Sequence, residues 1–527
     1  MKIVLAYISG MPDRQDPYIS LLPTGLCSLH ACLREAGFDA VLANFSGWSD
    51  ADIRRQLLDQ KPDIAGISQW THNRHAALKL AGLVRMVNPD CTVIMGGAHA
   101  TFRYAEILRG VSPVDCVVLG EGEETLLEIV RHRNEDSSYR DVNGIAYQYN
   151  GEIIVTPPRA TLKNLDNLPM ASGFLEQSVG VDIQLQAEFI LTTRGCPSAC
   201  HFCSSPKFWQ RKVRFRSPDK IVEEVMFVRD RYGLIYFSLR DDTFTADRAR
   251  TIEFCRLLIE SRTQVLWNCQ SRVNALDEEL LVWMKRAGCE CIQLGVESGS
   301  PRILSRLGKR ITPAQVEHCA GLIRQVGINL SIYLITDVPG ETEDDIKHTI
   351  ELIKRIRPDD GYVSPLAYFP GTRMFEEAVV AGQIDRNVFE ADDQAAVYAV
   401  GEPGRNSRRI LQWLGRVAPH DDLRFKRQKE LLGYCYVTNV LAGEFFRQRG
   451  EQSLAEQEFR EIAEREPDNP WGWYLLGDLY AEMGETERAR ECYYAVCRIV
   501  PRHGPSLQAL QAKKSGTLTA PLQRDSR

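Results

Sequence analysis

Three cysteines in the middle of the chain have the spacing of metal ligands. Cys196, Cys200 and Cys203 form a CxxxCxxC pattern directly after a strand-like run at residues 189–193. Because all three thiolates lie on one loop, each can bind a different iron of a 4Fe-4S cluster, and the fourth iron is then left without a protein ligand. An iron with an open position can chelate a further molecule. The pattern therefore predicts an iron–sulfur site that also binds a small ligand.

A zinc site is the alternative for these cysteines. Structural zinc sites take four protein ligands and usually present a second pair at a distance along the chain. Cys289 and Cys291 are separated by one residue at the start of a strand, so both side chains point to the same face, into packing. The sequence therefore favours the iron–sulfur cluster. Its thiolates must be deprotonated to bind iron, which predicts an anaerobic or reducing working environment.

The elements around this loop are predicted to alternate between strand and helix. From residue 1 to about 130, β-branched runs alternate with amphipathic stretches, which is typical of an open parallel sheet covered by helices. The predicted strands are residues 3–8, 40–42, 64–68, 92–95 and 117–119. A hairpin is predicted around the Asn150-Gly151 turn. From residue 188 a series of roughly six βα units predicts a partial barrel, with active groups at the carboxyl ends of its strands. Among its helices, one is predicted to end near Gly233, the next to start at Thr245 and another to end at Gly327.

Small-residue turns follow the predicted strands of the N-terminal sheet, where ligands of open parallel sheets bind. They are Pro23-Thr24-Gly25, Gly66-Ile67-Ser68, Gly96-Gly97-Ala98-His99-Ala100-Thr101 and Gly120-Glu121-Gly122-Glu123. A single turn of this kind is ordinary. Together, their order and spacing resemble the PxGL, GIS, GGxHxT and GEGE motifs of the cobalamin-binding domain in radical S-adenosylmethionine (SAM) enzymes. The cysteine loop resembles the cluster loop of the same family, which is the class B, cobalamin-dependent group.

The resemblance implies cobalamin contacts at the strand ends of the N-terminal domain. The residues concerned are Thr24, Gly25, Ser68, Trp70, Gly96, Gly97, His99, Thr101, Gly120, Glu121, Gly122 and Glu123. In the glycine-rich loop the backbone can approach the nucleotide tail closely, since glycine has no Cβ. His99 and Thr101 are its expected polar contacts. For His99 the alternative is a loop histidine that only satisfies a neighbouring carbonyl.

Two further expectations concern the lower face of the corrin. The DxHxxG motif, whose histidine ligates cobalt from below in other corrinoid proteins, is absent from the sequence. A state without a histidine ligand is therefore expected. Trp70 follows the strand end that should lie under the corrin, and an aromatic side chain at this place shields the lower face in some relatives. Its alternative is an indole that packs against a helix.

The resemblance also implies SAM contacts around the barrel. The open iron would take the amino and carboxylate groups of SAM, and Phe202 matches the aromatic residue beside the adenine. The expected polar contacts at the strand ends are Asp241, Asp242, Arg272, Glu297 and Ser298. The alternative is that the two aspartates cap the next helix and that Glu297 is a solvated acid. In this chain Asp337 replaces the first glycine of the family's GxPGET motif. Its side chain could reshape the SAM pocket or reach the substrate.

The C-terminal region contains a repeat. Five positions recur 34 residues later, as Gly443 does at Gly477 and Pro467 at Pro501. This period resembles tetratricopeptide helix pairs. Two copies fall short of a stable array, so they are expected to pack on the barrel or on the preceding helix. A groove for a peptide or partner and a helical cap over the active site are both open interpretations.

These observations give an α/β fold class with six segments. We predict a Rossmann-like cobalamin-binding domain, a connector with a hairpin, a partial (β/α)6 TIM-like radical SAM barrel, a helical connector, an all-α repeat region and a disordered tail. Their boundaries are residues 1–135, 136–187, 188–380, 381–432, 433–513 and 514–527.

Composition excludes several other classes. The chain has 527 residues, of which 44% are hydrophobic and 25% charged, and its formal net charge is −6. This balance offers no basic surface for nucleic acid. No apolar run is long enough to span a bilayer, and no signal peptide precedes the first strand. Fifteen scattered cysteines without a secretory signal favour reduced thiols, so we expect a cytoplasmic protein.

The predicted activity combines the three cofactors: the 4Fe-4S cluster, SAM and cobalamin. An adenosyl radical can abstract hydrogen from an unactivated position, and cobalamin can then donate a methyl group homolytically. We therefore predict a methyltransferase that acts on carbon or phosphorus of a small-molecule or peptide substrate, with an external electron donor such as flavodoxin or ferredoxin. The alternatives are a cyclase, rearrangement or oxidation enzyme with the same cofactors, and a corrinoid-binding scaffold that acts through its repeats.

Overall fold

The computed structural model describes residues 1–9, 21–135, 137–391, 396–400, 403–416 and 423–511. The chain folds into two compact units. The first unit comprises Met1–Ala187, Gly195–Phe215 and Leu366–Gly401, and the second comprises Glu188–Arg194, Arg216–Pro365 and Glu402–Arg527. Among the described residues, no helix combines the length and the apolar character needed to cross a membrane. The predicted tail, residues 514–527, lies outside the described residues.

Both units alternate strands and helices. In chain order the strands are β1 (Lys2–Tyr7), β2 (Asp39–Asn44), β3 (Ile64–Ser68), β4 (Thr92–Gly96), β5 (Cys116–Val118), β6 (Ile145–Tyr149), β7 (Glu152–Val155), β8 (Ser178–Val179), β9 (Phe189–Ile190), β10 (Thr193–Arg194), β11 (Arg214–Phe215), β12 (Tyr236–Leu239), β13 (Leu266–Ser271), β14 (Cys289–Glu297), β15 (Asn329–Thr336), β16 (Asp360–Pro365), β17 (Ala367–Tyr368) and β18 (Val397–Tyr398). The α-helices are α1 (Thr24–Glu35), α2 (Asp50–Gln60), α3 (Arg74–Val87), α4 (Ala98–Ile107), α5 (Glu123–Asn134), α6 (Ile183–Ala187), α7 (Ser205–Phe208), α8 (Pro218–Tyr232), α9 (Arg248–Glu260), α10 (Glu278–Arg286), α11 (Pro301–Arg306), α12 (Pro313–Val326), α13 (Glu343–Ile356), α14 (Arg373–Val380), α15 (Val388–Ala391), α16 (Arg405–Leu414), α17 (Leu423–Leu432), α18 (Tyr436–Gln448), α19 (Gln452–Arg465), α20 (Pro470–Glu482), α21 (Thr486–Ile499) and α22 (Gly504–Gln511).

The first unit is built on a twisted sheet with the strand order β7-β6-β5-β4-β3-β1-β2-β8. The six strands β5-β4-β3-β1-β2-β8 run parallel, as predicted for the first five strands of the chain, and the short edge strand β8 was not predicted. Strand β3 is buried along its whole length. The predicted hairpin forms, with Asn150 and Gly151 both at positive φ in its turn. It also pairs with β5 in antiparallel fashion and so extends the sheet. Sequence alone did not show this pairing.

The second unit contains a parallel sheet with the order β16-β15-β14-β13-β12-β9, which is a partial barrel. The predicted helix boundaries at Gly233 and Gly327 are confirmed, since both glycines end helices in the left-handed conformation. The helix predicted to start at Thr245 instead starts as α9 at Arg248. Asp247 caps it, because its carboxylate accepts a hydrogen bond from the Arg250 amide.

The repeat helices α18 to α22 pack against the amino ends of the barrel strands. The Tyr436 hydroxyl donates to the Val265 carbonyl at 2.8 Å, directly before β13. Gly233, before β12, lies so close to the Arg502 carbonyl that any Cβ would collide with it. Active groups of such barrels lie at the opposite, carboxyl ends of the strands. These contacts and the hydrogen bond from Lys429 of α17 to Glu458 of α19 confirm that the repeats pack on the barrel and on the preceding helix. They lie at the end of the barrel opposite to the one that a cap over the active site would cover.

Candidate functional site

The cysteine loop belongs to the first unit. Cys196, Cys200 and Cys203 are each partly exposed, and none forms a disulfide. Gly195, which precedes them, has φ of +100°, and a Cβ there would collide with the Lys212 carbonyl oxygen, so only glycine fits. Among the described residues no three His, Cys, Asp or Glu side chains are grouped to hold a single metal ion.

Backbone contacts hold the loop in place. The Met374 amide donates to the His201 carbonyl at 3.0 Å, between the second and third cysteines. The Arg211 guanidinium donates to the Pro197 carbonyl at 3.4 Å, between the first and second. Phe202 is partly exposed beside the last cysteine. The loop thus presents three thiols from a fixed backbone, which is the donor set that the cluster needs.

In the second unit, Asp241 anchors the strand end that leads into the cysteine loop. Its side chain is fully buried, and one carboxylate oxygen accepts the amides of Thr192 and Thr193, each at 2.7 Å. The other oxygen accepts the Thr192 hydroxyl. Burial raises the pKa of Asp241, and these hydrogen bonds and the nearby Arg250 oppose that shift. These hydrogen bonds engage both carboxylate oxygens of Asp241 with the protein itself. Contact between Asp241 and SAM remains a prediction.

The predicted cobalamin loops meet at the carboxyl edge of the first sheet. Among the described residues, no side chain or neighbouring segment lies within 4 Å of where a Cβ would stand at Gly25 or Gly120. The Thr101 hydroxyl accepts the Gly120 amide at 3.0 Å and thereby joins two of the loops. Glu123 is buried and accepts a hydrogen bond from the Ser28 hydroxyl at 2.8 Å. Ligands of open parallel sheets bind at this edge, and contact of these loops with cobalamin remains a prediction.

The remaining predicted cobalamin residues keep to their predicted strand ends. Ser68 and Gly96 are the last residues of β3 and β4, and their backbones pair in register. Gly97 has φ of +106°, and a Cβ there would stand 2.6 Å from the Gln69 carbonyl oxygen. Gly122 caps α5, and Thr24 opens α1. The close approach at Gly97 explains why this turn requires glycine.

His99 is buried at the start of α4, with 5% of its surface exposed. Its Nδ1 forms a hydrogen bond with the Thr71 hydroxyl at 3.1 Å. Burial, and after it the charges of the neighbouring Arg74 and Arg103, lower the pKa of His99 to about 3. The imidazole is therefore neutral at working pH, with one ring nitrogen assigned to Thr71. The alternative of a histidine that bonds a neighbouring carbonyl does not match this partner.

Trp70 stands at the end of β3 with 41% of its surface exposed. Its backbone amide donates to the Asn73 side chain at 2.7 Å, which closes a tight turn. The alternative of an indole packed against a helix does not fit this exposure. An exposed indole beyond a central strand of a parallel sheet suits contact with a ligand, and the shielding role remains a prediction.

One ion pair of the first unit was missed by sequence analysis. Glu121, in the GEGE loop, pairs with Arg214 at 2.6 Å, and the two side chains are 9% and 13% exposed. Glu121 also accepts the Leu162 amide at 3.0 Å, while Arg214 donates to the Leu162 carbonyl at 2.8 Å. Arg214 follows the cysteine loop, so the pair connects this segment to a predicted cobalamin loop. No local pattern signals a pair of residues 93 positions apart.

The other predicted SAM residues lie at strand ends of the second unit. Glu297 has φ of +67° and pairs with Lys309 at 2.9 Å, so it is not a solvated acid. Ser298 is buried and bonds with Thr349 at 3.2 Å. Arg272 is partly exposed after β13, and Asp242 is exposed after β12. Their contact with SAM remains a prediction.

Asp337 follows β15 with φ of +58°, a conformation that explains why the family motif has glycine there. Its carboxylate accepts hydrogen bonds from the Gly404 amide at 3.1 Å and from the Asn406 side chain at 2.8 Å. The Glu341 carboxylate accepts the Asp337 amide at 2.7 Å, and burial raises the pKa of Glu341 to about 7. Asp337 therefore attaches the start of α16 to the barrel. Neither of its predicted roles includes this contact.

Comparison with known proteins identifies the family. Residues 190–353 match the radical SAM superfamily, residues 20–130 the B12 binding domain and residues 447–514 the tetratricopeptide repeat. An uncharacterised methyltransferase of Pyrococcus horikoshii is 31% identical over 363 residues, which cover 68% of this chain and 78% of that protein. The anaerobic magnesium-protoporphyrin IX monomethyl ester cyclase of Rubrivivax gelatinosus is 30% identical over 366 residues, covering 67% and 66%.

The chain belongs to the radical SAM superfamily, in the group that carries an N-terminal B12 binding domain. The solved structure of the radical SAM methyltransferase TsrM from Kitasatospora setae, with cobalamin and a 4Fe-4S cluster bound, shares this fold. It superposes with a TM-score of 0.65 at 16% identity, covering 88% of this chain and all of that one. The chain is thus a cobalamin-dependent radical SAM enzyme whose cofactors are the 4Fe-4S cluster, SAM and cobalamin.

Proposed function

We propose that this enzyme transfers a methyl group from SAM, by way of cobalamin, to an unactivated carbon or to phosphorus of a small-molecule or peptide substrate. When bound, the cluster and SAM supply an adenosyl radical, and cobalamin carries the methyl group. The observation that supports the proposal is that one unit of the chain holds both the three-cysteine loop and the predicted corrin loops. Proximity of two reagents on one body is what a transfer between them requires.

The chain's own residues have defined parts in this proposal. Cys196, Cys200 and Cys203 hold the cluster. The backbones at Gly25 and Gly120 admit the corrinoid, and Trp70 excludes water from its lower face. An external electron donor such as flavodoxin or ferredoxin supplies the electron that SAM cleavage consumes. The repeats, which pack on the amino ends of the barrel strands, leave their outer surface for a protein partner.

A label experiment tests methyl transfer before the substrate is known. Protein reconstituted anaerobically with iron, sulfide and hydroxocobalamin is reduced and given SAM that carries a deuterated methyl group. We expect the label in the extracted cobalamin, together with S-adenosylhomocysteine. Formation of 5′-deoxyadenosine with unlabelled cobalamin and no S-adenosylhomocysteine would refute methyl transfer.

The cluster assignment has a matched control. Cys200→Ala should abolish the 4Fe-4S cluster, because two thiolates cannot hold the cube securely. Cys497→Ala changes another partly exposed thiol and should leave iron and sulfide content unchanged. Full iron and sulfide content in Cys200→Ala would overturn the ligand assignment.

Cyclisation or another oxidation is the second candidate, and the similarity to the anaerobic cyclase favours it. It uses the same cofactors without transferring methyl, so unlabelled cobalamin in the experiment above would point to it. A scaffold that acts only through the repeats is the third. Formation of 5′-deoxyadenosine from SAM would exclude that scaffold.

A further inference from the structure

A short segment far along the chain contacts the predicted cobalamin loops within the first unit. Phe389, at the start of α15, is 2% exposed. The Arg74 guanidinium donates to the Phe389 carbonyl at 2.8 Å, although the two residues are 315 positions apart. Arg103 donates to the Arg386 carbonyl at 3.0 Å in the same way. Two buried arginines of the N-terminal sheet's helices therefore hold this segment by its backbone.

The Phe389 ring lies among three cationic or titratable groups. The guanidinium carbons of Arg74 and Arg103 lie 5.9 Å and 5.7 Å from its centroid. The His99 ring meets it edge to face, with 5.6 Å between centroids and an interplanar angle of 87°. An aromatic face attracts cations at these distances, and edge-to-face pairing fixes the plane of a neighbouring ring. The ring therefore orients His99 and both arginines at once.

These contacts adjoin residues with a predicted role at the cofactor. Arg74 also donates to the Thr71 carbonyl at 2.8 Å, and Thr71 follows Trp70 and bonds His99. We infer that Phe389 is a positioning residue of the cobalamin site, which fixes the ring plane of His99 so that its second nitrogen meets the corrinoid. The inference rests on the proposed function and on the contact between His99 and cobalamin that the sequence predicts.

The electrostatic surroundings support this role. Arg74, Arg103, His72 and His75 all disfavour protonation of His99, and burial is the largest cause of its lowered pKa. Phe389 contributes to that burial by covering the ring. Beyond the histidine, Arg103 is neutralised by Glu106 at 3.0 Å and by Glu390 at 3.5 Å. The cover therefore keeps His99 neutral and oriented.

Substitutions at Phe389 test the inference on the full-length protein. Hydroxocobalamin is titrated anaerobically, and bound and free cofactor are separated by ultrafiltration. Phe389→Leu fills a similar volume without a ring, and we expect it to weaken binding about tenfold, since the aromatic contacts to two arginines and a histidine are lost. Phe389→Tyr keeps the ring and should bind within about threefold of wild type. Iron content should stay unchanged in both.

A spectroscopic measurement separates positioning from simple packing. In wild-type protein with 13C-labelled histidine, the His99 signal, identified by its loss in His99→Ala, should not titrate between about pH 5 and 8. In Phe389→Leu the signal should shift or broaden, because the aromatic ring that fixes the plane of His99 is lost. Phe254→Leu, at a buried ring of the second unit, is the control and should change neither cobalamin binding nor the His99 signal.

Three outcomes would overturn the assignment in distinguishable ways. Wild-type affinity in Phe389→Leu would refute the positioning role while leaving His99 as a contact. Wild-type affinity in His99→Ala would refute the contact itself, and with it any role of Phe389 through His99. If Phe254→Leu lost cobalamin binding as Phe389→Leu does, the loss in both would reflect lower stability of the whole protein and not a role of Phe389 at the site.

Discussion

Replacing Asp241 tests whether it supports the cluster loop or binds SAM. Asp241→Ala leaves the amides of Thr192 and Thr193 buried without an acceptor, because the carboxylate that accepts both, each at 2.7 Å, is removed. An unsatisfied buried donor costs about 1–3 kcal/mol, so the two amides together should lower the free energy of unfolding by about 4 kcal/mol. Asp241→Asn keeps an oxygen for the amides and loses only the charge, so we expect about 1–2 kcal/mol.

The neighbouring Asp242 provides the matched control, since it is exposed and carries the same side chain. Urea unfolding followed by fluorescence gives the stability order, with Asp242→Ala expected to be more stable than Asp241→Ala. Iron content after anaerobic reconstitution should fall in Asp241→Ala, because Cys196 follows the loosened strand end by three residues. Equal stability of Asp241→Ala and Asp242→Ala would refute the anchoring role. If Asp241→Asn were as stable as wild type but no longer bound SAM, Asp241 would contact SAM directly and would not serve as an anchor.

Three further predictions concern single contacts. Glu121→Gln and Arg214→Met should each lower the free energy of unfolding by about 3 kcal/mol, and the double variant by less than the sum, because each single change strands a buried charge. Gly477→Ala should lower it by about 1–3 kcal/mol, since a Cβ would lie 2.8 Å from an aromatic ring of the next helix. Gly321→Ala is the control, since Gly321 lies in a helix with open space where the Cβ would stand, and it should not lower the free energy of unfolding. Burial raises the pKa of Glu444 to about 7, so the folded state holds the proton more tightly and loses stability as pH rises from about 4.5 to 7. Glu444→Gln should therefore unfold at a higher temperature than wild type at pH 8 and at a similar temperature near pH 5.

Each of these has an outcome that contradicts it. Strict additivity of Glu121→Gln and Arg214→Met would mean that the two side chains do not interact in solution. An unchanged unfolding midpoint in Gly477→Ala would mean that the repeat helices are packed less closely than described. Parallel pH profiles for wild type and Glu444→Gln would show that this carboxyl group keeps its ordinary pKa.

Much of the fold and the cofactor set follows from the sequence, because both depend on local pattern. Strand β3 was predicted at its observed boundaries, since a fully buried parallel strand is a continuous apolar run between turns. The caps at Gly233 and Gly327 follow from the left-handed conformation that glycine tolerates. The three cysteines and the glycine turns are short motifs, so their chemistry can be recognised without distant partners.

The tertiary structure alone decided how the site is supported. Asp241 was predicted as a ligand contact, yet its carboxylate serves a strand end 49 residues earlier. Glu121 pairs with a side chain 93 positions away, and Phe389 meets Arg74 across 315 positions. Such pairs leave no periodic signal, because the chain brings them together only when the sheet and its loops have formed. The amino acid sequence thus determined which cofactors this enzyme binds, and long-range packing decided which residues hold their loops in place.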